Sequence, residues 1–142
     1  MLFQNAKESD MIDTEQIETS NSPSETVINF FNLFNQADEY SLDLMFDAPC
    51  VFTIDHKTRL FEKYSDAIDF EALRRTGWDK SNINSLETLY EDVTTSMVSF
   101  NFSRLDGCDC EISNTDATHL LVKKGNEWKI KGVFIHGNIG LQ

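Results

Sequence analysis

THLLVKKGNEWKIKGVFIHG, residues 118 to 137, alternates apolar and polar side chains on either side of a Gly125–Asn126 pair. Alternation with a period of two places successive side chains on opposite faces of a strand. A glycine-containing pair between two such runs marks a tight hairpin. The stretch therefore predicts two antiparallel strands with one buried and one wetter face. Trp128, Ile130, Gly132, Phe134 and His136 share one parity, whereas Lys129 and Lys131 have the other. A strand that stays regular carries His136 on the apolar side, which makes it a candidate pocket acid or base. His119 is in phase with Leu121 and Lys123, a mixed face suited to a sheet surface or a dimer seam.

Upstream, NINSLETLYE (82–91) and TTSMVSFNFSRL (94–105) extend the same pattern, with Val98, Phe100 and Phe102 alternating against Ser99, Asn101 and Ser103. Turn-forming clusters separate the segments, so the second half of the chain reads as a four-strand meander. The first half reads differently. In SPSE (22–25), Ser22 can cap a helix, Pro23 fits its first position, and Glu25 completes a capping box. Behind it, Val27, Phe30, Phe31, Phe34 and Ala37 form one apolar stripe at helical spacing. YSLDLMFDAP (40–49) predicts a short second helix ended by Pro49. CVFTI (50–54) and RLFEK (59–63) predict a hairpin turned by DHKT. From Ser65 a third helix is expected, with Ala67, Phe70 and Leu73 facing inward, Arg74 and Arg75 at its end, and Gly77 as its left-handed stop.

The chain has 142 residues, 40% of them hydrophobic, which suits one globular domain with a single core. Residues 1–21 read as an acidic N-terminal arm and residues 22–142 as the domain. Twenty-four acidic residues against 12 basic ones give a net charge of −12, so phosphate-rich surfaces are repelled and neither nucleic acid nor a membrane is an expected partner. No window reaches the roughly 20 apolar residues that a membrane-spanning helix needs. Three cysteines, with Cys108 and Cys110 one residue apart, make a disulfide framework improbable and suit a reducing, cytoplasmic setting. The pair lacks the remaining ligands of a closed zinc site, so no metal is expected. Hydrolase, P-loop and dinucleotide fingerprints are missing, and no cofactor is expected.

Helices first, a short hairpin, another helix and then a long meander make a segregated α+β layout, with helices covering one face of a curved sheet. Three stretches, VINFFNLFNQADEYSLDLMF (27–46), SDAIDFEALRRTGW (65–78) and the opening hairpin, resemble the nuclear transport factor 2-like superfamily, in particular its SnoaL-like members. The resemblance spans residues 22–140 and implies a cone-shaped, mixed or antiparallel sheet wrapped around N-terminal helices, a cystatin-like α+β barrel. It also implies a pocket inside the cone and a homodimer formed through the sheet. Ketosteroid isomerases, polyketide cyclases and dehydratases share that fold with non-catalytic transport and association domains.

The resemblance to the isomerases carries over in part. Their phenol on the first helix is replaced here by Phe30, Phe31 and Phe34, which donate no hydrogen bond. Asp55 lies near the place of their carboxylate base, and the strand that carries their later acid offers Ser99 and Asn101. The expected function is binding of a small, mostly apolar molecule, with cofactor-free isomerisation, cyclisation or dehydration by Asp55 and His136 as an acid/base pair. Phe31, Phe34, Phe52, Trp78, Tyr90 and Phe134 are the expected walls. The alternative is a dimeric interaction or ligand-sequestering module. An enzyme needs an open cavity with converging polar groups, whereas an interaction module can fill its cone with side chains.

Overall fold

A computed structural model describes residues 22–136. The acidic arm expected over residues 1–21 lies outside the described residues. Ser22 caps α1 (Pro23–Asn35) by accepting the Glu25 N–H at 3.2 Å, with Pro23 in the first turn as its fixed φ favours. Asp38 caps α2 (Glu39–Leu44), which ends before Pro49 because β1 (Phe46–Ile54) has already begun. Asp55 and His56, both at positive φ, turn the chain into β2 (Lys57–Phe61).

The single helix expected from Ser65 is two pieces, a 3₁₀ turn at Tyr64–Asp66 and α3 (Phe70–Arg75). The first ends at Ala67, and after Ile68 the Asp69 carboxylate caps the next by accepting the Ala72 N–H at 3.0 Å. Gly77, at φ 98°, makes the expected left-handed stop. The meander follows as β3 (Lys80–Glu91), β4 (Thr95–Leu105), β5 (Glu111–Lys124) and β6 (Glu127–Ile135).

The six strands form one sheet in the order β2-β1-β6-β5-β4-β3. Only the β1–β6 pairing is parallel, so the expectation of a curved, mixed sheet in an α+β fold holds. The sheet wraps around α1, whose Phe30, Phe31 and Phe34 are all buried. Phe31 packs on Phe100 and Phe102 of β4 with centroids 5.4 and 5.3 Å apart. The C-terminal end of α1 is pinned to β3 by Asn35, whose side chain donates to the Ser81 carbonyl and accepts the Ser81 N–H at 2.9 and 2.8 Å.

The alternation of β4 puts Val98, Phe100, Phe102 and Arg104 on the concave face, and that of β5 puts Thr115, Ala117, His119 and Leu121 beside them. β6 begins in phase, with Trp128 and Ile130 buried. Its register against β5 then shifts: Leu121 opposes Ile130, but Leu120 opposes Gly132, leaving Lys131 as an extra residue. A bulge of this kind reverses the parity of everything beyond it. Val133 and Ile135 therefore face inward, and Phe134 and His136 face out.

Candidate functional site

Between α1 and the concave face lies a cavity of about 230 Å³. α1 contributes Phe30, Phe31 and Phe34, β1 contributes Phe52 and Ile54, and β4 contributes Phe100, Phe102 and Arg104. Ala117 and His119 of β5 and Val133 and Ile135 of β6 form the floor. The segment from Tyr64 to Leu73 closes one side, with Asp69 on the lining. Most of these groups are hydrocarbon, and the side chains with polar tips are Tyr64, Asp69, Arg104 and His119.

His119 is 2% exposed and held edge-on between Phe30 and Phe100, at centroid distances of 5.2 and 4.9 Å. Its Nδ1 has no hydrogen-bond partner among the described residues. Desolvation pulls its pKa down to about 3, so the ring is neutral at pH 7. Tyr64 packs flat on Phe46 at 4.7 Å and edge-on to Phe30 at 5.5 Å. Burial pushes its phenol well above the usual range, against a smaller opposing effect of Arg104, and keeps it a neutral donor. Arg104 is 7% exposed, and its guanidinium lies 6.0 Å from the centroid of the Phe102 ring. Burial draws its pKa down, partly offset by Tyr64. Asp69 is engaged at the α3 cap.

Of the residues expected to form the site, Phe31, Phe34 and Phe52 reach the cavity. The expected acid/base pair does not. Asp55 lies past the inward-facing end of β1, in a turn, with its side chain 46% exposed and its carboxylate 3.9 Å from His56 Nε2. His136 is exposed on the opposite face, where its Nε2 lies 2.9 Å from the Thr118 hydroxyl, because the Lys131 bulge reversed its parity. Phe134 is turned out by the same bulge, opposite Thr118. Trp78 is buried core, packed on Phe34 and Phe70, and donates its indole N–H to Ser81 Oγ at 3.0 Å. Tyr90 is 51% exposed and donates to Asp92 at 2.6 Å. Ser99 and Asn101 sit on the outer face, so β4 presents Phe100 and Phe102 where the isomerases would have their acid.

Sequence reasoning missed Tyr64, Arg104 and His119. The forward neighbour Lys123 made the face of His119 look mixed, but Lys123 lies at the strand end, where its exposed ammonium rests 5.7 Å from the Trp128 ring centroid. The informative neighbours were behind it: Thr115 and Ala117 share its parity and are buried. Among the described residues, no cluster of three or more histidine, cysteine or carboxylate side chains could hold a metal ion.

Fold and cavity together define the class: an α+β domain whose curved sheet and first helix enclose a small, largely apolar chamber. Residues 23–138 match the family described as NTF2-like protein (DUF6841), and the chain belongs to that NTF2-like family. No curated protein matches it in sequence. Its fold is similar to that of a protein of unknown function with a cystatin-like fold from Nostoc punctiforme, at 10% identity and a TM-score of 0.65 over 79% of this chain and 85% of that one. A putative ketosteroid isomerase from Shewanella frigidimarina matches at 13% identity and a TM-score of 0.60, over 78% and 91%. The beta subunit of benzoate 1,2-dioxygenase from Burkholderia mallei matches at 15% and 0.56, over 79% and 85%. At such identities the likeness is one of fold alone.

Proposed function

We propose that the protein is a SnoaL-like domain of the cytoplasm that binds and sequesters a small, mostly apolar molecule without a cofactor. The carrying observation is the chamber of about 230 Å³, walled by phenylalanines and tipped with Tyr64, Arg104 and His119. It lies below the ~300 Å³ at which typical ligand sites begin, which suits a compact ligand. Acid/base turnover is the weaker reading. The lining carboxylate, Asp69, caps α3, and an imidazole with a pKa of about 3 is a poor base at neutral pH.

Ala117 is fully buried on the floor, so Ala117→Phe would project a ring into the chamber. A thermal-shift screen of compact aromatic and alicyclic compounds should raise the melting temperature of the native chain and leave the filled variant unmoved. Equal shifts in both proteins, or none in the native chain, would sink the reading.

The outer face supports a second copy of the chain as partner. Its centre carries Met97, Leu120, Gly132 and Phe134 with Ser99 and Thr118, and none of these is charged. Two chains of net charge −12 associate most readily through such a neutral region.

A further inference from the structure

The chamber leaves unused the chain's pair of exposed thiols. Cys108 and Cys110 are both free and exposed, whereas Cys50 is buried with its thiol 3.4 Å from the Phe61 carbonyl oxygen. The pair sits in the turn between β4 and β5, where the Asp106 N–H donates to the Cys110 carbonyl at 2.9 Å and the Asp109 N–H to the Asp106 carbonyl at 3.0 Å. One carboxylate oxygen of Asp106 accepts the N–H groups of both cysteines, at 2.8 and 2.9 Å. Their backbones thus converge on a single atom. Between them Asp109 holds φ at 63°, and its carboxylate is tied to Lys80 Nζ at 3.0 Å. A residue in the left-handed region sets the Cα atoms on either side about 5.5 Å apart, inside the roughly 4.4 to 6.8 Å that a disulfide spans. The Cys110 sulfur folds back to 3.9 Å from the Cys108 carbonyl oxygen. Beside them Gly107 faces open space, which leaves a reagent room to approach.

We propose that Cys108 and Cys110 are a two-electron thiol–disulfide site that reacts with small disulfides. One cysteine, as its thiolate, attacks a sulfur of the reagent R–S–S–R; that bond breaks, RS⁻ leaves and a mixed disulfide forms. The second thiolate attacks the protein sulfur of the mixed disulfide, closes the Cys108–Cys110 bond and expels the second RS⁻. The two protons lost by the cysteines end on the two released thiols, and the two electrons given up by the protein reduce the reagent. An exposed disulfide is of the readily reduced kind, so the site cycles rather than locks. A metal is the poorer occupant. Two sulfurs are half of a closed zinc site, and no cluster of three or more ligating side chains stands among the described residues.

The test is intact-mass spectrometry of the reduced full chain after incubation with excess glutathione disulfide. The native chain should lose two hydrogens and retain no glutathione, and the loss should map to the single tryptic peptide 105–123, which holds both cysteines. Cys108→Ser and Cys110→Ser should each keep one glutathione, and that adduct should persist about tenfold longer or more than any on the native chain, because its resolution is no longer intramolecular. Cys50 should stay a thiol throughout. Two adducts on the native chain would mean independent thiols and overturn the proposal. Chains linked to one another, an unreacted native chain, or a two-hydrogen loss in either variant overturns it as well.

Discussion

Burying an imidazole without a partner makes stability depend on pH. His119 has a pKa of about 3 in the fold, against about 6.5 in the unfolded chain. Between those values the unfolded state binds the extra proton, so the contribution is intact above pH ~6.5 and is lost as pH falls towards 3. The full loss amounts to about 4 to 5 kcal/mol. Urea midpoints measured from pH 7 to pH 4 should fall steeply for the native chain and much less for His119→Phe. Parallel curves would mean that the ring is solvated or partnered. Asp92 acts in a lower window: the Tyr90 hydroxyl first, then the Thr94 and Thr95 N–H groups, hold its carboxyl down to about 2. Its stabilisation is present above about pH 3.8 and disappears towards 2, so it begins to fade only after most of the His119 loss has occurred. Residue by residue, the site was half legible. Phe31 and Phe34 announced themselves by helical spacing, whereas Tyr64 reaches the cavity through a 3₁₀ turn that leaves no periodic trace. Arg104 carries no mark of its burial in the sequence, because burial of a guanidinium depends on what folds over it.

Elements were legible where one period ran unbroken, as in α1 and in the alternation of β4. They were misread where a single residue broke the period. Asp69 caps a new helix where one was expected to run on, and Lys131 reversed the last turnings of β6 by bulging. The bulge can be tested by removing it. Deleting Lys131 lets Gly132 follow Ile130 in regular alternation, so Val133 and Ile135 stay inward and Phe134 and His136 stay outward. Because no apolar side chain changes face, the deletion should cost well below the about 3 to 6 kcal/mol of exposing two aliphatic side chains. Lys131→Ala is the control: it removes the ion pair with Asp47 at 3.2 Å but keeps the extra residue, and should cost about 1 kcal/mol or less. Denaturant unfolding of both variants checks this, and a deletion that costs about 3 kcal/mol or more beyond Lys131→Ala would refute the register argument. Asn35→Ala should cost about 1 to 3 kcal/mol by stranding the Ser81 amide and carbonyl beneath α1.

At the scale of the whole molecule, charge and the outer sheet face set how copies meet. The proposed dimer should appear in sedimentation velocity as a two-chain species that Leu120→Glu converts to monomer. Raising salt should strengthen it, since screening shortens the reach of two −12 charges to about 10 Å at 0.1 M. A monomer at every salt concentration would exclude it. The order of the sheet has a consequence for synthesis as well. Phe52 of β1 lies beside Val133 of β6, a neighbour 81 positions further along the chain. A ribosome adding ~5 to 20 residues each second leaves that edge of β1 without its neighbour for roughly 4 to 16 s. Until β6 is made, the chamber lacks the side that Val133 and Ile135 close. Whatever occupies the finished chamber can be enclosed only when the last strand arrives.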